Sequence, residues 1–450
     1  MTRSCLLIAS VTLLGCESAS TTASVESPVA EPALAVESPM PESMPEPTPM
    51  PAAKPAVSFV HAAKGLPTSG QWKCDPRVVD VDGDGTQEIV ALPRLLKGAR
   101  MFLMQDGLWQ DASAGLESDG ITCGGGLEVL DLNGDGRNDL IYGCHCKGLY
   151  TWLRNDEGGW DKGAEAVWPE YLSDDEANNF MFQGLEDIAV GDVDGDGHAD
   201  VLTGGSDEGG INLFLGDGTG VNWEWVSEES LPKRGWCTRL MLHDFEGDGD
   251  LDLFASYCRG PKVYINDGQG SFTDASLGLP EPPMQGIWWG MEVGDLDSDG
   301  MLDIVVANWV NGPEVFFNRA GQWEYGVDPF PEADGGGTGV DLADFDGDGH
   351  LDIVFLGRMN KRQMGHARGL FVLRGDGHGH FDYVADSGLP STGLSGTAGV
   401  TAADFDGDGI PDIVAGTGLS VESSRPRPEG PAEVLLAYRT QRDTARVSKD

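Results

Sequence analysis

One short pattern, Asp-x-oxygen-x-Asp-Gly-x-x-carboxylate, recurs seven times in this chain of 450 residues. The copies begin at Asp80, Asp131, Asp192, Asp244, Asp295, Asp344 and Asp404; the first reads D-V-D-G-D-G-T-Q-E-I-V and the last D-F-D-G-D-G-I-P-D-I-V. Positions 1, 3, 5 and 9 carry an oxygen side chain in every copy, and position 6 is always glycine. A hard cation takes six to eight oxygens at about 2.3–2.6 Å, and a glycine lets a short loop turn back around it. Seven loops of this kind predict about seven Ca2+ sites.

Taken position by position, the side-chain ligands are Asp80, Asp82, Asp84 and Glu88 in the first loop, and Asp131, Asn133, Asp135 and Asp139 in the second. The third offers Asp192, Asp194, Asp196 and Asp200, and the fourth Asp244, Glu246, Asp248 and Asp252. The last three offer Asp295, Asp297, Asp299 and Asp303; Asp344, Asp346, Asp348 and Asp352; and Asp404, Asp406, Asp408 and Asp412. Asn133 removes one charge and Glu246 lengthens one arm, so the second and fourth sites should differ from the rest. An EF-hand would need a Glu at position 12 and flanking helices. Position 12 here is Ala91, Tyr142, Thr203, Ala255, Val306, Phe355 and Ala415, and the flanks are β-rich.

The loops recur every 51, 61, 52, 51, 49 and 60 residues. Each is preceded by a short strand, as Gly290–Gly294, followed by an apolar one, as Ile304–Ala307, and then by a hairpin turn such as Asn266-Asp267-Gly268. Asn-Gly and Asp-Gly tolerate the positive φ that tight hairpins need. Four strands per unit repeated radially predict an all-β fold, a seven-bladed β-propeller of four-stranded antiparallel blades. Residues Ser58–Pro67, S-F-V-H-A-A-K-G-L-P, match Ser271–Pro280 at a blade's last strand, whereas Ala432–Arg439 reads as a third strand with no fourth. Pairing the two ends closes the ring and removes two open sheet edges.

On these loops the chain resembles the FG-GAP/VCBS repeat family, whose best-known members are the propellers of integrin alpha subunits; the resemblance covers the span from about residue 57 to 443. It implies that the loops join the first two strands of each blade on a lower face, and that ligands are met on the upper face. The turns on that upper side hold Trp72, Trp236, Arg239, Trp288, Trp289, Trp309 and Arg358, together with Arg77, Arg94, His145, Arg259, Lys361 and Arg362. Aromatic platforms beside guanidinium groups suit sugar rings and acidic groups. The competing role for each tryptophan is a wedge between blades.

The remaining chain is organised around this domain. Residues 1–15, with Arg3, an apolar run and the ending L-L-G-C, predict a lipoprotein signal peptide with Cys16 as the lipidated residue; the ending resembles a bacterial lipobox, and an ordinary secretory signal is the alternative. Residues 16–56 are proline-rich and predict a disordered tether, reaching to roughly 120 Å if extended. Residues 57–443 are the propeller and 444–450 a tail. The location implied is a bacterial envelope, most simply the outer membrane, with the lipid as sole membrane contact.

A formal net charge of −45 argues against nucleic-acid binding, since phosphates would be repelled. An exported chain favours disulfides. Cys123 and Cys144 flank the second loop, and Cys237 and Cys258 flank the fourth at the same separation, which predicts two bonds; Cys74 and Cys146 remain as a possible third. Cys144-His145-Cys146 also has a zinc-like spacing, with no second cluster to complete it. Arg374-Gly375-Asp376 spells an adhesive tripeptide, but an Asp-Gly hairpin turn explains it fully. Two functions stay open: a monomeric binding or adhesion module for a glycan or protein, and a calcium-stabilised enzyme on carbohydrate, a lyase or dehydratase. No catalytic pair stands out against the acidic background.

Overall fold

The computed structural model describes residues 57–442 apart from 73–74, 118–120, 145–147, 166, 168–183, 206–208, 258–259, 281–287, 327–335, 359–367, 395–398 and 419–432. The described residues are all-β. Seven four-stranded antiparallel sheets follow one another as blades, from Arg77–Asp111 in blade 1 to Val400–Arg442 in blade 7. The first strands of successive blades touch in order, and that of blade 7 touches that of blade 1, so the ring is closed. The closing blade takes its fourth strand from the other end of the domain: Val57–His61 pairs antiparallel with Leu435–Arg442, Val57 opposite Arg442 and His61 opposite Tyr438. The expected closure is thereby observed.

The core follows from this ring. Second strands such as Asp303–Asn308 and Asp352–Gly357 are buried along their whole length, because neighbouring blades cover both faces. Hence the sequence runs I-V-V-A and I-V-F-L without polar alternation. Seven apolar clusters fill the seven gaps between adjacent blades. The gap between blades 5 and 6 packs Val305, Val315 and Phe317 against Val340, Phe355 and Phe371. The gap between blades 7 and 1 packs Val414 and Leu435 against Ile89 and Phe102. Each cluster is local to its gap, so the apolar core is distributed around the ring.

An eighth, three-stranded sheet was not anticipated. Gln71–Trp72, Pro93–Lys97 and Ile121–Cys123 pair across the upper ends of blades 1 and 2. Cys144 and Cys237 are buried. Cys74, Cys146, Cys258 and the side chain of Cys123 lie outside the described residues, as do residues 1–56 with the signal segment, Cys16 and the tether. Cys237 stands opposite Tyr257 in the first hairpin of blade 4.

Candidate functional site

Each acidic loop joins the first and second strands of a blade, as expected, and its carboxylates divide the work. The position-1 Asp holds the loop: Asp80 Oδ1 accepts from Gly83 N at 2.7 Å and Oδ2 from Gly85 N at 2.9 Å. Position 6 needs a left-handed residue, and Gly85 has φ of 90°. The position-9 carboxylate is buried and ties the hairpin to the third strand. Asp352 Oδ2 accepts from Phe345 N at 2.9 Å and Oδ1 from Gly375 N at 2.9 Å. Burial pushes the carboxyls of Asp303 and Asp352 up to about 7, and the neighbouring loop carboxylates add to the shift, against the pull of those N–H bonds.

In five loops three carboxylates bring oxygens within 4.8 Å of one another: Asp80, Asp82 and Glu88; Asp192, Asp194 and Asp200; Asp295, Asp297 and Asp299; Asp344, Asp346 and Asp348; Asp404, Asp406 and Asp412. Among the described residues the second and fourth loops form no such group, and these are the two that Asn133 and Glu246 set apart. Glu246 instead shares a hydrogen bond with Asp252, and burial together with that neighbour raises its carboxyl to about 7. The donors fit a divalent cation: all are oxygens, and Asp297 Oδ1 is buried without a hydrogen-bond partner among the described residues. In blades 5 to 7 an arginine in the third strand, or just after it in blade 5, already meets the position-3 carboxylate. Arg319 donates to Asp297 at 2.7 Å, Arg374 lies 3.5 Å from Asp346, and Arg439 pairs with Asp406. A cleft of about 500 Å3, lined by Asp82, Asp84, Arg137, Arg154 and Asp156 among others, separates the first two loops.

The upper face keeps only part of the expected set. Trp236, Trp289 and Trp309 form a contiguous, half-buried row: the first two rings meet edge to face at 5.0 Å, and the last two lie tilted at 5.6 Å. Arg368, not singled out from sequence, places its guanidinium 4.4 Å over the Trp309 ring. Arg358 packs beside the same residue, over Gly336. Trp236 Nε1 has no hydrogen-bond partner among the described residues.

Four expected face residues are corrected. Trp72 and Trp288 are 2% and 1% exposed and serve as core wedges, Trp72 against Phe102 and Trp288 with its Nε1 donating to Glu314 at 2.8 Å. Arg239 lies on the ring axis. Its guanidinium pairs with Asp75 and, at 2.8 Å, with Glu292, and lies 3.9 Å from Asp187. Arg77, also expected on the face, sits nearby with Glu128 in a two-bond pair at 2.6 and 3.0 Å. His145, Arg259, Lys361 and Arg362 lie outside the described residues.

This axial hub was missed in the sequence, although a signal was present. Arg77, Glu128, Glu292 and Asp341 each stand three residues before a loop's first Asp, and Asp75, Asp187 and Arg239 five before. Side chains two apart on a strand share a face. Five carboxylates thus meet two guanidiniums in a buried space. Burial pushes the Asp187 carboxyl up to about 7 against the pull of Arg239, and burial with the neighbouring Asp341 raises Glu292. The adhesive tripeptide is occupied structurally: Arg374 faces Asp346, and Asp376 Oδ1 accepts from His378 N and His380 N.

Comparison with known proteins agrees with this architecture. The FG-GAP-like repeat matches residues 80–142, 131–203, 192–255, 244–306, 295–355 and 364–415; the first five windows each run from the start of one loop to position 12 of the next. Cartilage acidic protein 1 of Mus musculus is 27% identical over 216 residues, which is 42% of this chain and 31% of that protein, so the chain spans about a third of the relative's length. A structure of BBS1N in complex with ARL6DN has a TM-score of 0.51 at 11% identity, covering 86% of this chain and 97% of that one. An Agrocybe aegerita protein solved for recognition of non-reducing terminal N-acetylglucosamine has a TM-score of 0.47 at 17% identity, covering 76% and 96%. Repeat windows over most of the chain, on loops that build every blade, make this chain a member of the FG-GAP-like repeat family.

Proposed function

We propose that the protein is a calcium-loaded propeller, tethered to the cell envelope through Cys16, that binds a glycan on its upper face. The observation that carries the binding reading is the Trp236–Trp289–Trp309 row, because stacked aromatics at one rim offer successive platforms for sugar rings. Calcium belongs to the scaffold in this reading: it offsets carboxylates that otherwise repel one another within each loop. Seven ions still leave the chain strongly negative, which disfavours nucleic acid as partner. A protein ligand on the same face is the alternative occupant.

The test is a glycan array probed with the calcium-loaded chain and with Trp289→Ala. Retention of defined glycans that the variant loses supports the reading; retention of none, or equal retention by both, ends it. One observation favours an enzyme instead: the axial hub collects Asp187 and Glu292 beside Arg239 near the upper ends of the first strands. Cleavage products from oligosaccharides, abolished by Glu292→Gln, would establish that second reading. Binding is preferred because the hub carboxylates are engaged by guanidinium or backbone N–H groups and brace the ring.

A further inference from the structure

Asn266 bonds to two acidic loops at once. It ends the third strand of blade 4, where its N–H donates to Asp252 Oδ1, the position-9 carboxylate of the fourth loop, at 2.8 Å. Its side-chain amide donates from Nδ2 to Val193 O, in the third loop, also at 2.8 Å. Leu251 O lies 3.2 Å from the same nitrogen, so both acceptors around it are carbonyls and the amide must present its NH2 there. Val193 N in turn donates to Asp200 Oδ2, the position-9 carboxylate of the third loop, at 2.9 Å. A continuous hydrogen-bonded line thus joins the buried carboxylate of one loop to that of the next. Asn266 is 4% exposed and Asp200 and Asp252 no more than 1%, so the line runs out of reach of water.

The sixth and seventh loops repeat the arrangement with a longer side chain. Thr440 N donates to Asp412 Oδ1 at 2.7 Å, and two residues on, Arg442 donates to Phe345 O at 2.8 Å and to Asp344 O at 2.6 Å. Phe345 N closes the line on Asp352 Oδ2 at 2.9 Å. In blades 3 and 6 the residue equivalent to Asn266 is Gly216 or Gly375. Its N–H meets Asp200 or Asp352 in the same way, but it has no side chain to send to the loop before.

Resting on the calcium reading, we propose that the third and fourth loops bind calcium as a coupled pair through Asn266, and the sixth and seventh through Arg442, so that filling one loop of a pair tightens the other. An empty loop crowds like charges that push its backbone apart, and a filled one is fixed. With the third loop fixed, the Val193 carbonyl stands where it holds Asn266, and Asn266 N then holds Asp252 in place before the fourth loop fills. Coupling between two sites is reciprocal, so each loop of a pair gains by the same factor.

The experiment follows hydrogen exchange of the loop peptides in the full-length protein, freed of calcium by chelation and then titrated with calcium, so that each loop reports its own midpoint. Gly247 N and Gly249 N, bonded to Asp244, report the fourth loop. Asp194→Ala, in the third loop, should move the fourth-loop midpoint to calcium about five-fold higher or more and leave the first loop where it was. Asn266→Ala should weaken both loops of its pair, and adding Asp194→Ala to it should move the fourth loop no further. Melting curves in saturating calcium show that the variants fold; Val193 O keeps its bond from Gly270 N, at 2.9 Å, when Asn266 is shortened. If one does not fold, the same cycle on the other pair decides, with Asp406→Ala and Arg442→Met read at the sixth loop. A smaller shift, an equal shift in the first loop, or a shift that persists in the Asn266→Ala chain overturns the inference while the loops remain calcium sites. Protection that ignores calcium in all seven loops defeats the calcium reading as well.

Discussion

Ser298 is the exception among the fourth loop positions: it has φ of 60° where the other six loops place a glycine. A left-handed conformation costs an L-residue about 1–2 kcal/mol, part of which glycine returns as unfolded-state entropy. Ser298→Gly should therefore stabilise the protein by about 0.5–1 kcal/mol in denaturant titration; an unchanged midpoint would mean that the contact of Ser298 Oγ with His350 Nδ1 at 3.4 Å compensates the strain. Loop inequality gives a second expectation. Asp299 belongs to a three-carboxylate cluster, whereas the second loop forms none, so in saturating calcium Asp299→Ala should lower the melting temperature well beyond Asn133→Ala. Equal losses would contradict it. The loop positions were readable in the sequence because nine consecutive residues build each site. Trp72 and Trp288 were not, because the side of a strand that faces the next blade rather than solvent is decided by packing far away in sequence.

Among elements, the buried position-9 carboxylate at the start of the second strand ties the acidic loop to the end of the third strand. Asp352→Ala would leave Phe345 N and Gly375 N without their acceptor in a buried setting. Each such orphan costs about 1–3 kcal/mol, so a loss of about 2–6 kcal/mol is expected by chemical denaturation. A loss below about 1 kcal/mol would show that water or the other loop oxygens take over. Strand identities were legible where apolar runs are unbroken, as Ile304–Ala307. The three-stranded sheet was not: its strands are two to five residues long, one begins at Pro93, and their partners come from three separate connections.

At the scale of the ring, closure was legible from the matching chain ends, but the hub was not, because only the closed ring turns seven first strands toward one axis. Burial raises the carboxyls of Asp187, Glu292 and Asp341 there, so the folded state holds their protons more tightly than the unfolded chain does. That contribution is fully present below about pH 4 and is lost as the pH rises through about 7, where Asp187 ionises. In saturating calcium, with the loops clamped, stability should fall by on the order of 2 kcal/mol between pH 6.5 and 8.5. Glu292→Gln should flatten this slope, and a melting temperature constant over that range would show that the hub is already fully ionised.

The closing strand has a direction as well as a partner. Val57 stands opposite Arg442, whose guanidinium reaches Asp344 O and Phe345 O of the sixth loop, so Val57–His61 starts at the acidic-loop end of its blade and runs toward the tryptophan row. Val57 therefore lies on the acidic-loop side of the ring, opposite the face that carries the tryptophan row. The two faces of the ring are thus chemically unlike, carboxylates on one and indoles on the other, which gives the propeller a front and a back.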